Sequence, residues 1–146
     1  MRIGVVFPQT EIGHAVADAA RYATTVERLG YVHLIAFDHV VGADPAVHEG
    51  WDGWYDVDST FHEPFVLFGY LAAITKLELA PSIIILPQRQ TALVAKQAAE
   101  VDLLTEGSFR LGVAVGWNEV EYEALGQDFR KRGKRIDEQI GLLRRL

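Results

Sequence analysis

Cysteine is absent from all 146 residues, which removes disulfide frameworks, thiolate metal sites and cysteine nucleophiles from consideration. Positive charge is scarce too: 14 Lys and Arg stand against 20 Asp and Glu, a formal net charge of −6. That balance argues against a surface built to neutralise phosphates, so nucleic acid is not an expected partner. No run approaches the roughly 18 apolar residues of a membrane span. The apolar start, residues 3–7, is too short for a signal peptide. The expectation is a cytoplasmic protein with no membrane partner. No serine sits in a G-x-S-x-G elbow. The glycines at 126 and 133 follow no strand and have six residues between them, so a phosphate loop is rejected.

What is present is core-forming material, 49% hydrophobic against 23% charged. Four short apolar runs, residues 3–7, 32–37, 79–86 and 109–115, are apolar on both faces, as in a parallel sheet covered on both sides. Helical periods lie between them. Val16, Ala19, Ala23 and Val26 share a stripe that Gly30 stops, and Glu63-Pro64 opens a second helix carrying Phe65, Phe68, Leu71, Ala72 and Thr75. A third helix spans 91–104 with Val94, Ala98 and Val101 inward and Gly107 beyond its end. A short turn near 119–125 and a longer helix over 130–146, bearing Ile136, Ile140 and Leu143, complete the order β-α-β-α-β-α-β-α. The basic stretch 130–135 reads as that helix's exposed face.

Periodicity alone admits a half-barrel or a four-stranded doubly wound sheet. The chain closes on Arg144-Arg145-Leu146 without a helix terminator, and a complete barrel takes about 250 residues. The expectation is therefore four βα units of eight, the N-terminal half of a barrel domain over residues 1–146. Such a half leaves edge strands and an apolar interior open, so a missing C-terminal half or a second copy in a homodimer is an expected partner.

In either architecture function gathers where strands end. The exits are Pro8-Gln9, Asp38-His39, Pro87-Gln88-Arg89 and Gly116-Trp117-Asn118. Imidazole titrates near neutrality, so His39 is suited to moving a proton or binding the edge of a ring; the alternative is that it merely packs. Asp38 is suited to accepting from a ligand, or to capping its own turn. Gly112 and Gly116 either admit a ligand close to the backbone or permit tight packing. Trp51, Trp54 and Tyr55, in a long loop over residues 40–60, read equally as a lid or as a cover for the barrel mouth or a subunit contact. Histidines 14, 33, 39, 48 and 62 lack metal-ligand spacing, and Asp52, Asp56 and Asp58 lack the order of a calcium loop, so no metal site is expected.

Several segments together resemble the luciferase-like monooxygenase superfamily, and within it the F420-dependent oxidoreductases. They are Phe37-Asp38-His39-Val40, Leu86-Pro87-Gln88-Arg89-Gln90, Val94-Ala95-Lys96-Gln97-Ala98-Ala99, the stretch GVAVGWNEVEY at 112–122, and Arg132-Gly133-Lys134-Arg135 with Glu138-Gln139. The resemblance covers the first half of such a protein and implies a (β/α)₈ fold with the cofactor ring over the strand ends. It implies that His39 is catalytic, beside the ring, and that Asp38, His39, Ser82, Ile83, Gly116, Trp117 and Asn118 bind the cofactor. It also implies a non-proline cis peptide near Ser82-Ile83. The implied cofactor is reduced F420, transferring hydride to or from a small organic substrate, with FMN and monooxygenase chemistry as the alternative. A non-catalytic half-barrel serving assembly is the rival from another class. Ala114 stands where the pattern usually has glycine, and Ala43 and Trp117 stand where the sugar-phosphate dehydrogenases of this superfamily carry tryptophan and glutamate.

Overall fold

The computed structural model describes residues 1–13 and 15–146; His14 lies outside the described residues. Strands Gly4–Val6 (β1), His33–Ala36 (β2) and Glu78–Pro81 (β3) pair in parallel in that order. The third apolar run does not stay one strand. It breaks at Ser82-Ile83, where the peptide bond is cis, and resumes as Ile84–Ile85 (β4), which pairs in parallel with Val113–Ala114 (β5). Hydrogen bonds from Leu79 N to Ser108 O and from Ile84 N to Gly112 O, both 2.9 Å, keep the fourth run beside the third along its length. Each of the four apolar runs therefore neighbours the next in sequence. A doubly wound sheet reverses its order at a switch point, whereas sequential order is that of a β/α barrel.

The helices fall close to their expected places. Val16–Arg28 (α1) ends at Leu29, and Gly30 beyond it takes φ +88°, a left-handed stop that suits glycine. Pro64–Ala72 (α2) is capped by Glu63, whose carboxylate accepts from Val66 N at 2.8 Å. Thr91–Leu104 (α3) buries Val94 and Val101. Glu119–Ala124 (α4) follows β5. The last helix starts later than its pattern suggests: Phe129–Lys131 forms one 3-10 turn before Arg132–Leu143 (α5). Among the described residues no helix is long and apolar enough to cross a membrane.

The core lies between the strands and the outer helices, built on Phe7, Leu34, Phe68, Leu79, Ile84 and Val94. Each of these side chains contributes about 1.5–3 kcal/mol by leaving water. The expected burial on both faces holds for β3 and β4 but not at the edges, where Val6 is 44% exposed and β5 is only half-buried. A barrel interior is filled by side chains from all its strands. With only four of the positions around the ring present, the inner faces of the edge strands meet solvent.

Candidate functional site

At the end of β2 the chain delivers Asp38 into the protein rather than toward solvent. Its fully buried carboxylate accepts from Ile85 N (2.9 Å) and from Arg89 through Nε (3.2 Å) and Nη2 (2.6 Å). Arg89 also donates from Nη1 to Glu63 (2.9 Å). Burial opposes the charge on Arg89, but Asp38 and Glu63 outweigh it and hold the guanidinium pKa above its usual value. Asp38 is thus neither a ligand acceptor open to the cleft nor the cap of its own turn. It is a long-range anchor that ties the β2 exit to β4 and the following turn, with its charge paired as burial requires.

That turn is gripped from behind by α5. Arg135 Nε donates to Pro87 O (2.9 Å), and Gln139 Nε2 donates to Arg89 O and Thr91 Oγ1, each at 3.0 Å. The exposed-face reading of residues 130–135 holds for Arg130, Lys131 and Lys134 but is corrected at Arg132 and Arg135. Arg135 is half-buried and bonded, and Arg132 lies over the Phe129 ring at 3.6 Å. An arginine's stem packs while its head finds carbonyls, so a basic run need not be a solvated one.

His39 comes next, with a side chain only 10% exposed. Its Nδ1 lies 3.1 Å from Glu121 Oε2, while Glu121 Oε1 accepts from Val40 N (2.8 Å) and Val41 N (3.4 Å). Glu121 is fully buried. The rings of Phe61, Tyr55 and Trp117 surround the imidazole at centroid distances of 4.6, 5.0 and 5.9 Å. Glu121 was not found by reading the sequence, because 119–123 looks like a solvated acidic turn. The available signal was phase: Glu119 and Glu123, four apart, share a face, and Glu121 falls on the opposite side with the buried Tyr122. The Tyr122 hydroxyl donates to Val115 O, and burial pushes its pKa up to about 12.

Around His39 opens a cleft of about 300 Å³, floored by Ile83, Ile85, Ala114 and Gly116 and edged by His39, Tyr55, Ser82 and Trp117. It brings together six of the seven residues expected at a cofactor site: Asp38, His39, Ser82, Ile83, Gly116 and Trp117. Asn118 is set apart. It lines an adjoining cavity of about 440 Å³ on the other side of His39, walled by residues 55–61. Its Oδ1 caps α4 by accepting from Val120 N (3.1 Å), and its buried Nδ2 has no partner among the described residues.

The glycines resolve toward packing. A Cβ on Gly112 would lie 2.4 Å from Pro81 O, and one on Gly116, at φ +67°, would lie 2.8 Å from the Ile85 side chain. Their missing side chains let neighbouring strands close up. Of the loop's three large rings, Trp51 stacks on Trp117 (5.9 Å, 25°) and Tyr55 faces His39, whereas Trp54 is 89% exposed. Gln9 ties the β1 exit to the same rim, donating to Phe37 O and accepting from His62 N, both at 2.8 Å. The whole is a concave, largely apolar and aromatic surface with one held imidazole at its edge, the composition of a small-molecule site.

Comparison with known proteins bears directly on this arrangement. The family model for luciferase-like monooxygenases matches residues 1–146. An uncharacterized protein of Mycobacterium tuberculosis is 46% identical over 88 residues, covering 59% of this chain and 30% of that protein. Pyrimidine monooxygenase RutA of Pantoea ananatis is 28% identical over 162 residues, covering 100% of this chain and 42% of its own length. The chain thus spans less than half the length of these relatives. Among solved structures, the oxygenating constituent of 3,6-diketocamphane monooxygenase from Pseudomonas putida, in complex with FMN, superposes with a TM-score of 0.77 at 18% identity, covering 98% of this chain and 38% of that one. The coenzyme F420-dependent tetrahydromethanopterin reductase of Methanopyrus kandleri gives 0.62 at 16% identity, covering 88% and 30%. At these identities the structures establish the β/α-barrel fold, here its half. The chain belongs to the luciferase-like monooxygenase family.

Proposed function

We propose that this chain is the ring-binding half of an oxidoreductase in which the cleft at His39 receives the tricyclic ring of reduced F420, for hydride transfer to or from a small organic substrate. The observation that carries the reading is the single imidazole held between three aromatic rings and a buried carboxylate, at the edge of an apolar cleft where the strands end. The residues suit a flat ring system: Ile83, Ile85, Ala114 and Gly116 offer a low apolar bed, Ser82 an exposed hydroxyl, and Trp117 a wall. A cleft of about 300 Å³ accommodates a ring and not a phosphate-bearing tail, so the tail would rest on further βα units from a C-terminal half or a second copy.

The cofactor supplies the hydride chemistry; the protein supplies orientation and electrostatics. His39, on the edge of the cleft, holds or moves a proton at Nε2, the nitrogen that Glu121 leaves free. Asp38 acts indirectly, keeping the Ile85 backbone and Arg89 in place beneath the ring. Asn118, from the adjoining cavity, offers its unpartnered Nδ2 to a polar substituent. The enzyme acts in the cytoplasm.

A second reading, FMN with monooxygenase chemistry, is favoured by the higher TM-score of the FMN-bound diketocamphane enzyme and by the pyrimidine monooxygenases among the relatives. Titrating the purified chain with F420 and with FMN, followed by absorbance and fluorescence, separates the two. Saturable micromolar binding of one of them, lost in His39→Ala, supports the corresponding reading. A folded chain that binds neither leaves a half-barrel that serves assembly.

A further inference from the structure

We infer that Glu121 is a positioning residue that sets the tautomer of His39, so that Nε2, the nitrogen away from the carboxylate, is a proton acceptor. The inference rests on the reading that His39 borders the bound ring.

Glu121 reaches His39 from α4, 82 positions further along the chain, and is fully buried there. Its two oxygens have separate tasks. Oε1 accepts the backbone N–H of Val40 at 2.8 Å and of Val41 at 3.4 Å, which pins the carboxylate against the β2 exit. Oε2 is left facing His39 Nδ1 at 3.1 Å. A carboxylate only accepts, so the ring nitrogen opposite it must carry hydrogen. Neutral His39 is therefore the Nδ1–H form, and its lone pair is on Nε2, which no described residue bonds. The ring cannot swing to exchange these roles, because Phe61, Tyr55 and Trp117 pack around it within 6 Å of its centroid.

The chemical consequence is directional. Nε2 takes a proton from whatever lies in the cleft, and the imidazolium that results is stabilised by the carboxylate behind it. Returning that proton restores the starting tautomer. Glu121 touches nothing in the cleft and acts only through His39.

A purely structural tie between α4 and the β2 exit makes a different prediction, and Glu121→Gln separates the two. Glutamine has one acceptor oxygen and one NH₂. The oxygen is claimed by Val40 and Val41, so the NH₂ turns to Nδ1, which must then accept, and the proton moves to Nε2. The tie survives and the tautomer inverts.

The test uses the full chain labelled with ¹⁵N at histidine, without added cofactor. Long-range ¹⁵N–¹H correlations are recorded with the imidazoles neutral, and the His39 signals are identified by their loss in His39→Asn. The expected result is Nδ1–H in the wild type, Nδ1–H in Glu121→Asp, and Nε2–H in Glu121→Gln. Predominant Nε2–H in the wild type overturns the inference, a measurement that does not depend on any variant at position 121. An unchanged tautomer in folded Glu121→Gln overturns it as well. Because no cofactor is present, failure to bind F420 or FMN does not touch this result. A correct tautomer in a chain that binds neither cofactor upholds the Glu121–His39 pair and removes the ring reading alone.

Discussion

Two buried carboxylates stand on either side of the β2 exit, and their partners differ. Asp38 faces Arg89, a cation that stays charged at any ordinary pH, and a backbone N–H at 2.9 Å. Glu121 faces an imidazole and two backbone N–H groups. Both carboxylates are fully buried, so both need compensation. The Asp38 cluster has no proton to exchange and behaves as a fixed joint between β2, α2 and the turn after β4. The Glu121 cluster contains one group that does exchange protons and opens on the cleft. A joint and a site are thus built from the same kind of buried acid, and the partner decides which is which.

The comparison can be broken most severely on the Asp38 side. Arg89→Met leaves Asp38 buried without its cation, and a loss of about 3–5 kcal/mol in unfolding free energy is expected from urea denaturation. Gly112→Ala is next: its Cβ would meet Pro81 O at 2.4 Å, so the strands must part, at a cost of about 1–3 kcal/mol by the same measurement. A neutral acceptor at position 121 is milder. Glu121→Gln keeps the bonds from Val40 and Val41, so its stability should fall by only about 1 kcal/mol even as the His39 proton relocates.

Tyr122, beside Glu121, adds a test at alkaline pH. Its pKa is raised to about 12 by burial, so the neutral phenol's contribution to stability is fully present below the ordinary tyrosine value and is lost as pH rises through about 12. One tyrosine should ionise only together with alkaline unfolding, seen as late tyrosinate absorbance that disappears in Tyr122→Phe. His39→Ala removes one partner of Glu121 but leaves it the N–H groups of Val40 and Val41. The change should cost less than Arg89→Met in urea, while any saturable F420 or FMN binding is abolished. A result with the order reversed would make His39 the joint and Asp38 the site.

Much of the scaffold could be read from local pattern. The bounds of α3 coincide with those expected, and Gly30 and Gly107, placed as helix stops, both adopt positive φ. Sequence likeness pointed to Ser82-Ile83 for the cis peptide, and the bond lies there. Asp38, His39, Ser82, Ile83, Gly116 and Trp117 line one cleft, Asp38 as part of a buried joint. Hidden from view were Glu121 behind His39, Arg135 and Gln139 behind Arg89, and the separate cavity at Asn118. Each is a polar residue whose local setting, a short acidic turn or a basic helix, looks like surface.

The sequence by itself determined the alternation of apolar runs with helical stripes, where several helices stop, and the family. These rest on short-range rules: which faces are apolar, where proline and glycine interrupt, and which residues recur in motifs. Only the tertiary structure decided that the strands stand in sequential order and that the third run divides between two partners. It alone decided that a glutamate 82 residues away supports His39. The physical reason is that burial is a property of the closed fold. A charged side chain is compatible with water or with a distant partner until the strands are brought side by side, and only then does desolvation require the particular pairings Asp38–Arg89 and Glu121–His39.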